Sequence, residues 1–380
     1  MPPLENPSNP NDAREAVSVL VVDHTTLPGG AELALPRYAA KTQISVNFVF
    51  LEPAREHLQF PKSATVIAPP RPLGFIRQLC FLRSAIERYP MALIVSNTLR
   101  ASIMVALVKP RHQQHAMLLH DGVDKESLST WKRWALRLIV LRHNVRIIPN
   151  SEWSASTVPA RFTRCLTPAT YSFSGTSVVA ERPRRDPSGV ETIRILSLSR
   201  LVSWKGIHVI LEALEHLEGS GMDRNAIQLT VAGAAVLGPN HYVAALKEQA
   251  SRLKFDIRFV GHVENVEPLL LCNDVLVHSS TRPEPFGQVV VQGMHYGLIV
   301  IATNQGGPPE IVVDGESGLL YAPGDSRALA DIIRKLANDR GLAVRVAAGG
   351  VLRADQFTDA TIAGRLDAVL ADIRHERAAT

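Results

Sequence analysis

The stretch RPEPFGQVVVQGM, residues 282–294, holds a carboxylate, Glu284, in a turn too rich in proline to be helical. A helix can begin only near Gly287 and Gln288, which puts its free N–H groups and their partial positive charge close to that carboxylate. Upstream, SLSRLVSWKGIHVI (197–210) ends an apolar run and opens an amphipathic one, with Arg200 and Lys205 in the turn between them. A guanidinium fork and an ammonium point charge beside a helix start suit a diphosphate. Downstream, ATNQGGPPEIVVDGESGLLY supplies Gly306 and Gly307, which let the backbone come close to a ligand or to the Glu284 loop. Pro308, Pro309 and Glu310 suit the first turn of a helix, and DGESG reads as a tight structural turn. These groups would make a pocket for a polar, anionic small ligand. The plainer alternatives are a Glu284 that caps its own helix and two cations that are simply solvated.

The elements that must position these groups follow from hydrophobic patterning. Continuous apolar runs at 17–23, 44–51, 92–96, 115–120 and 145–150 alternate with amphipathic stretches at 30–41, 73–88, 100–108 and 127–143. That pattern predicts parallel strands buried on both faces, a doubly wound α/β domain covering 16–180. ERPRRDPSG (181–189) is charged, proline-rich and unpatterned, and marks a linker over 181–192. The alternation resumes with strands at 193–199, 227–233, 257–261, 274–280 and 298–304 and helices at 206–218 and 240–253, giving a second such domain over 193–355. The candidate groups fall at strand ends, where open parallel sheets bind ligands. Residues 1–15 read as a disordered tail without the apolar core of a signal peptide, and 356–380 as a C-terminal helix that crosses back to the first domain.

Composition narrows the function classes. With 46% hydrophobic and 20% charged residues the 380-residue chain is that of a globular protein. No run approaches the ~20 apolar residues of a membrane span. Cys80, Cys165 and Cys272 show neither metal spacing nor a disulfide framework, which points to a reducing, cytoplasmic setting. Residues 1–170 carry 20 Lys and Arg against 12 Asp and Glu, so the net charge of +5 is concentrated in the first half. WKRWALRLIVLRHNVR (131–146) gathers Trp131, Trp134, Lys132, Arg133, Arg137, Arg142 and Arg146. It reads either as a core-facing helix with a basic rim or as a peripheral contact at the inner face of an anionic membrane. No nucleic-acid module is present, and no P-loop, zinc spacing, Asp-x-Asp or G-x-G-x-x-G occurs, which disfavours a nicotinamide cofactor.

The segment 193–325 resembles the donor-sugar site of the retaining glycosyltransferases of family 4, a group with the two-domain GT-B fold. The resemblance rests on RLVSWKG, on the Glu284 turn with Phe286 and Gly287, and on the Gly306–Gly307 turn; it is looser over the first half. It implies a fold of two facing Rossmann-like domains with an interdomain cleft. It implies a nucleotide-diphosphate sugar as donor substrate, a UDP-sugar first and a GDP-sugar second, with no cofactor and no metal. In the family, cations matching Arg200 and Lys205 hold the donor phosphates, and the carboxylate matching Glu284 binds hydroxyls of the transferred sugar. The amides at Phe286 and Gly287 help to hold that sugar, and the backbone near Val263 lies against the base. A turn matching Gly29, Gly30 and Glu32 approaches the donor from the first domain. His120, ending the strand HAMLLH, matches a family position near the reacting carbon.

One position departs from the family pattern. Two glutamates are separated by seven residues in the family, but the second position here is Gln292, which keeps an acceptor oxygen and loses the charge. The expectation is therefore a metal-independent, retaining hexosyltransferase, with Glu284 and His120 at the reacting centre. Gly30, Arg200, Lys205, Val263, Phe286, Gly287 and Gln292 would bind the donor. The acceptor would be a glycan, a glycolipid or a small molecule. A nucleotide-sugar epimerase and a catalytically silent sugar-nucleotide-binding partner are the alternatives.

Overall fold

The computed structural model describes residues 18–26, 30–55, 58–125, 128–171, 192–235 and 241–376. The segment 1–15, Gly29 and all but the last residue of the 181–192 connection lie outside these.

The first half contributes β1 (Ser18–Asp23), α1 (Gly30–Lys41), β2 (Ser45–Phe50), β3 (Val66–Ile67), α2 (Phe75–Glu87), β4 (Leu93–Ser96), α3 (Leu99–Val108), β5 (His115–Leu119), α4 (Thr130–His143), β6 (Arg146–Pro149) and α5 (Glu152–Ser156). The second contributes β7 (Ile193–Leu198), α6 (Ile207–Gly219), β8 (Ile227–Ala232), α7 (His241–Ser251), β9 (Asp256–Gly261), α8 (Glu267–Cys272), β10 (Val275–Val277) and α9 (Gln288–His295). It continues with β11 (Ile299–Thr303), α10 (Pro308–Ile311), β12 (Leu319–Tyr321), α11 (Ser326–Asn338), α12 (Arg340–Ala354) and α13 (Asp359–Glu376).

Each half forms a six-stranded sheet, in the orders β3-β2-β1-β4-β5-β6 and β12-β11-β10-β7-β8-β9. The paired strands run parallel throughout. Both orders are the doubly wound 3-2-1-4-5-6 arrangement, which reverses direction between β1 and β4 and between β7 and β10. The strands are apolar because both faces are covered. In the second sheet, Ile195, Leu229, Val275 and Ile301 pack on α6 and α11, while Leu196, Leu276 and Val300 pack on α9.

Two features join the halves. Helix α13 leaves the second half and packs Ala363, Leu366, Leu370 and Ile373 into the first half's core beside Leu35, Tyr38 and Phe48. Its Asp367 is buried there but satisfied. It accepts from the Tyr38 hydroxyl at 2.8 Å, the Thr42 hydroxyl at 2.7 Å and the Gln43 amide at 2.8 Å. At a second seam, Tyr171 packs against Phe286 and Phe357, with ring centroids 5.7 and 5.5 Å away.

Candidate active site

The second sheet's reversal point lies between β7 and β10, and the chain leaving each strand there carries the polar groups. β10 is shorter than the apolar run 274–280 predicts. After one further ladder bond, from the His278 amide to the Ile301 carbonyl at 2.8 Å, the chain turns and spends its polar atoms on neighbouring loops. The Ser279 hydroxyl donates to the Lys205 carbonyl at 2.9 Å, and the Ser280 hydroxyl donates to Glu284 Oε2 at 3.1 Å. Gly206, at φ +69°, sits so close that a Cβ would lie 1.9 Å from the Ser279 carbonyl oxygen, so only glycine fits between the Lys205 turn and this strand end.

Glu284 is the centre of the cluster. Its carboxylate forms an ion pair with the Lys205 ammonium, accepts from Ser280, and lies 3.5 Å from His278 Nε2. The pair is mostly buried, with side chains 12% and 17% exposed for Lys205 and Glu284. Burial pushes the Glu284 carboxyl up, but the His278 hydrogen bond and the Lys205 charge together outweigh it and hold the group well below the usual carboxylate range. His278 is fixed from its other side by the Thr303 hydroxyl, 3.3 Å from Nδ1. The Lys205 ammonium also lies 4.3 Å from the centroid of the Trp204 ring.

Glu284 does not cap its own helix. The N-cap of α9 is Gly287, in the left-handed region, and no side chain caps it. The loop that presents Glu284 is clamped by the Gly306–Gly307 turn, whose Gly307 amide donates to the Glu284 carbonyl at 2.7 Å. A Cβ on Gly307 would come within 2.5 Å of the Phe286 Cα, which accounts for glycine there. The Phe286 side chain is in the core, so only its backbone can serve a ligand. Gln292 is half-buried on α9, and Val263 is half-buried beyond β9. Arg200 stands exposed at the end of β7 and forms no ion pair among the described residues. A cleft of about 610 Å³ opens beside it, lined by Leu201, Gly233, Ala234, Lys247 and Gly261 among others.

The first sheet's reversal point carries a second polar chain. His120 Nε2 lies 2.7 Å from Asn97 Oδ1, and Asn97 Nδ2 donates to the buried Asp23 carboxylate at 2.5 Å. A carboxylate only accepts, so the Asn97 amide is oriented with its oxygen toward His120, which makes Nε2 the protonated ring nitrogen. Burial lowers the His120 pKa, opposed by the charges of Asp121 and Asp23, so the ring is neutral near pH 7 and Nδ1 is an acceptor. His120 lines a pocket of about 210 Å³ with Asn97, Asp121, Leu128 and Leu136. Gly30 is the first residue of α1, on the same domain. The structure brings Lys205 and Glu284 into contact, while His120 is joined to Asn97 on the first domain.

Sequence reasoning missed Asp23, Asn97, His278 and Ser280. Their signal was a polar residue at the carboxyl end of an apolar strand, which the rule for parallel sheets could have flagged. It placed Glu310 in the first turn of a helix, where it stands in α10. It did not foresee that the carboxylate also reaches the other domain, accepting from the Glu152 amide at 2.9 Å and the Trp153 amide at 2.7 Å at the start of α5. Among the described residues, no group of three or more His, Cys, Asp or Glu is arranged to hold a metal ion.

Two doubly wound domains with polar clusters at both reversal points define a GT-B fold. Residues 181–350 match the sequence model of the family "Glycosyl transferases group 1". The chain is similar to the lipopolysaccharide core biosynthesis glycosyltransferase LpsE of Rhizobium meliloti, 30% identical over 47% of this chain and 50% of that protein. The chain thus spans about half the length of that relative. Among solved structures, Anabaena Alr3699/HepE in complex with UDP superimposes with a TM-score of 0.77 at 24% identity, covering 94% of this chain and 100% of that one. Its complex with UDP-glucose gives 0.75 at 25% identity, over 93% and 99%.

Proposed function

We propose that the protein transfers a hexose from a nucleotide-diphosphate sugar to an acceptor hydroxyl with retention of configuration. The observation that carries this is the Lys205–Glu284 pair, held by Ser280 and His278 at the reversal point of the second sheet beside the uncapped start of α9. An ammonium has three donors, so Lys205 can keep Glu284 in place and still reach a phosphate. Arg200 and the first amides of α9 would share the charge that develops on the leaving diphosphate. Glu284, ionised by its partners, would accept hydrogen bonds from the sugar hydroxyls. The bond from the anomeric carbon to the diphosphate oxygen breaks while the acceptor oxygen bonds that carbon from the same face. The leaving phosphate oxygen takes the acceptor proton, so the step needs no protein nucleophile and no metal.

His120, neutral near pH 7, would stand on the first domain's side of the donor and help to orient the sugar. Gly30 would approach the donor from the first domain, Gln292 would meet the ribose, and the backbone near Val263 the base. A UDP-sugar is the first choice of donor, supported by the UDP and UDP-glucose complexes of the Anabaena protein, and a GDP-sugar the second. The acceptor is a glycan, glycolipid or small molecule reaching the site from the first domain. The free Cys80, Cys165 and Cys272 suit a cytoplasmic setting.

Calorimetric titration with UDP, GDP, ADP and dTDP tests the reading, with the Arg200→Ala, Lys205→Ala double variant as control. One nucleotide should bind and lose its binding in the double variant. Binding of none, or binding indifferent to both substitutions, would reject the site. Binding without turnover on any acceptor would make the protein a silent binder, and isotope exchange within the sugar in the absence of acceptor would make it an epimerase.

A further inference from the structure

Helix α4 has two apolar faces. Leu136, Ile139 and Val140 are buried against the first domain. Trp131, Trp134, Leu138 and Leu141 are 63%, 63%, 46% and 71% exposed. Their spacing of three, four and three residues stacks them in one stripe along the helix, on the side opposite the buried residues. Leu107, on the neighbouring α3, is also exposed. A lone exposed leucine needs no account, but four large apolar side chains in one line do.

The stripe is bordered by charge of one sign. Lys132, Arg133, Arg137 and Arg142 flank it, and 130–143 contains no Asp or Glu. The Lys132 ammonium lies 5.9 Å from the Trp131 ring centroid, so cation and aromatic are presented together. Positive charge continues beyond the helix end, where Lys109, Arg111 and Arg146 line a cavity of about 590 Å³ whose one acidic wall residue among the described residues is Glu376. Glu376 is itself paired with Arg146 at 3.2 Å.

We propose that α4 docks the first domain onto an anionic lipid bilayer, with Trp131, Trp134, Leu138 and Leu141 entering the headgroup boundary and the flanking cations meeting lipid phosphates. Tryptophan suits this boundary because its ring is apolar and its N–H can remain hydrated. A basic, amphipathic helix lying in the plane of the interface has this composition. A second copy of the chain fits less well, since pairing two such faces sets cation against cation. Docking here uses neither the Lys205–Glu284 cluster nor a sugar donor, so it stands or falls independently of the transfer chemistry.

Flotation of the 380-residue chain with vesicles of phosphatidylcholine alone, and of phosphatidylcholine mixed with phosphatidylglycerol, tests the proposal. The protein should float with the mixed vesicles only, and less as salt is raised. Trp131→Ser with Trp134→Ser should weaken binding about tenfold or more, and Lys132→Gln with Arg142→Gln should remove much of the preference for anionic lipid. Both variants alter exposed side chains, and an unchanged thermal melt establishes that each is folded. The proposal is overturned if the protein ignores mixed vesicles or if both folded variants bind them as the parent does. It is also overturned if the parent is an oligomer that the tryptophan variant dissociates, which would make the stripe a contact between copies.

Discussion

The Glu310 carboxylate, carried by the second domain, accepts from the amides of Glu152 and Trp153 at the start of α5 in the first, at 2.9 and 2.7 Å. A short helix of the first domain is thus capped from the domain it faces, and the cap is also a bond across the interdomain seam. Burial raises the Glu310 pKa, opposed by the two amide hydrogen bonds. Its position just after the Gly306–Gly307 turn that clamps Glu284 couples the seam to the loop bearing the key carboxylate.

Replacing Glu310 therefore should affect both stability and geometry. Glu310→Ala leaves the α5 amides without their carboxylate and should lower stability by roughly 1–3 kcal/mol. Glu310→Gln keeps an acceptor and should lose less. Chemical denaturation of the three proteins gives the order, and solution scattering should show a looser arrangement of the domains in Glu310→Ala. Equal stability of the alanine variant and its parent would rule out the cap.

The lowered pKa of Glu284 has a pH signature. Its folded value lies below the unfolded value of about 4.3, so the folded state binds fewer protons in that range. Its contribution to stability is complete above the unfolded pKa and is lost as pH falls through it toward the folded value. The parent should lose stability below about pH 5 more steeply than Glu284→Gln, whose neutral amide does not titrate. Denaturation midpoints compared from neutral to acid pH test this, and parallel curves would mean that the Lys205–Glu284 pair is not coupled to folding.

The elements at the reversal points were legible because their strands are buried on both faces and their helices on one. Continuous apolar runs such as SVLVVD and IVIAT are hard to read otherwise. The β3 strand is only two residues, too short for a period to emerge. Helices α11 and α12 were not separately read from the sequence, although Asp325 and Asp339 cap them through the Ala328 and Leu342 amides. Glu284 and Lys205 were legible as chemistry, but their mutual pairing was not, because it depends on how far the β7 and β10 ends are set apart. The Glu310 contact was illegible for a similar reason, since nothing local marks which helix start a carboxylate will meet.

Arg200 and Lys205 should separate in how they fail. Arg200 is exposed and unpaired among the described residues, so Arg200→Ala should cut turnover at least about tenfold and leave stability unchanged. Lys205→Ala should cut turnover similarly, and it also leaves Glu284 buried without its cation, at a stability cost of about 3 kcal/mol. Kinetics and denaturation on both variants test the contrast. Near-normal turnover in either removes that residue from the donor site.

Gln292 offers the sharpest test of donor recognition. It is half-buried on α9, and its side chain makes no hydrogen bond among the described residues. A neutral amide oxygen holds a diol more weakly than a carboxylate, by on the order of 1 kcal/mol for a good bond. Gln292→Glu should therefore tighten binding of the preferred nucleotide several-fold. The gain should be smaller for the corresponding 2′-deoxynucleotide, which offers one ribose hydroxyl fewer. Calorimetry on the parent and variant with both nucleotides measures the difference. No change with any nucleotide would mean that this helix position does not meet the ribose.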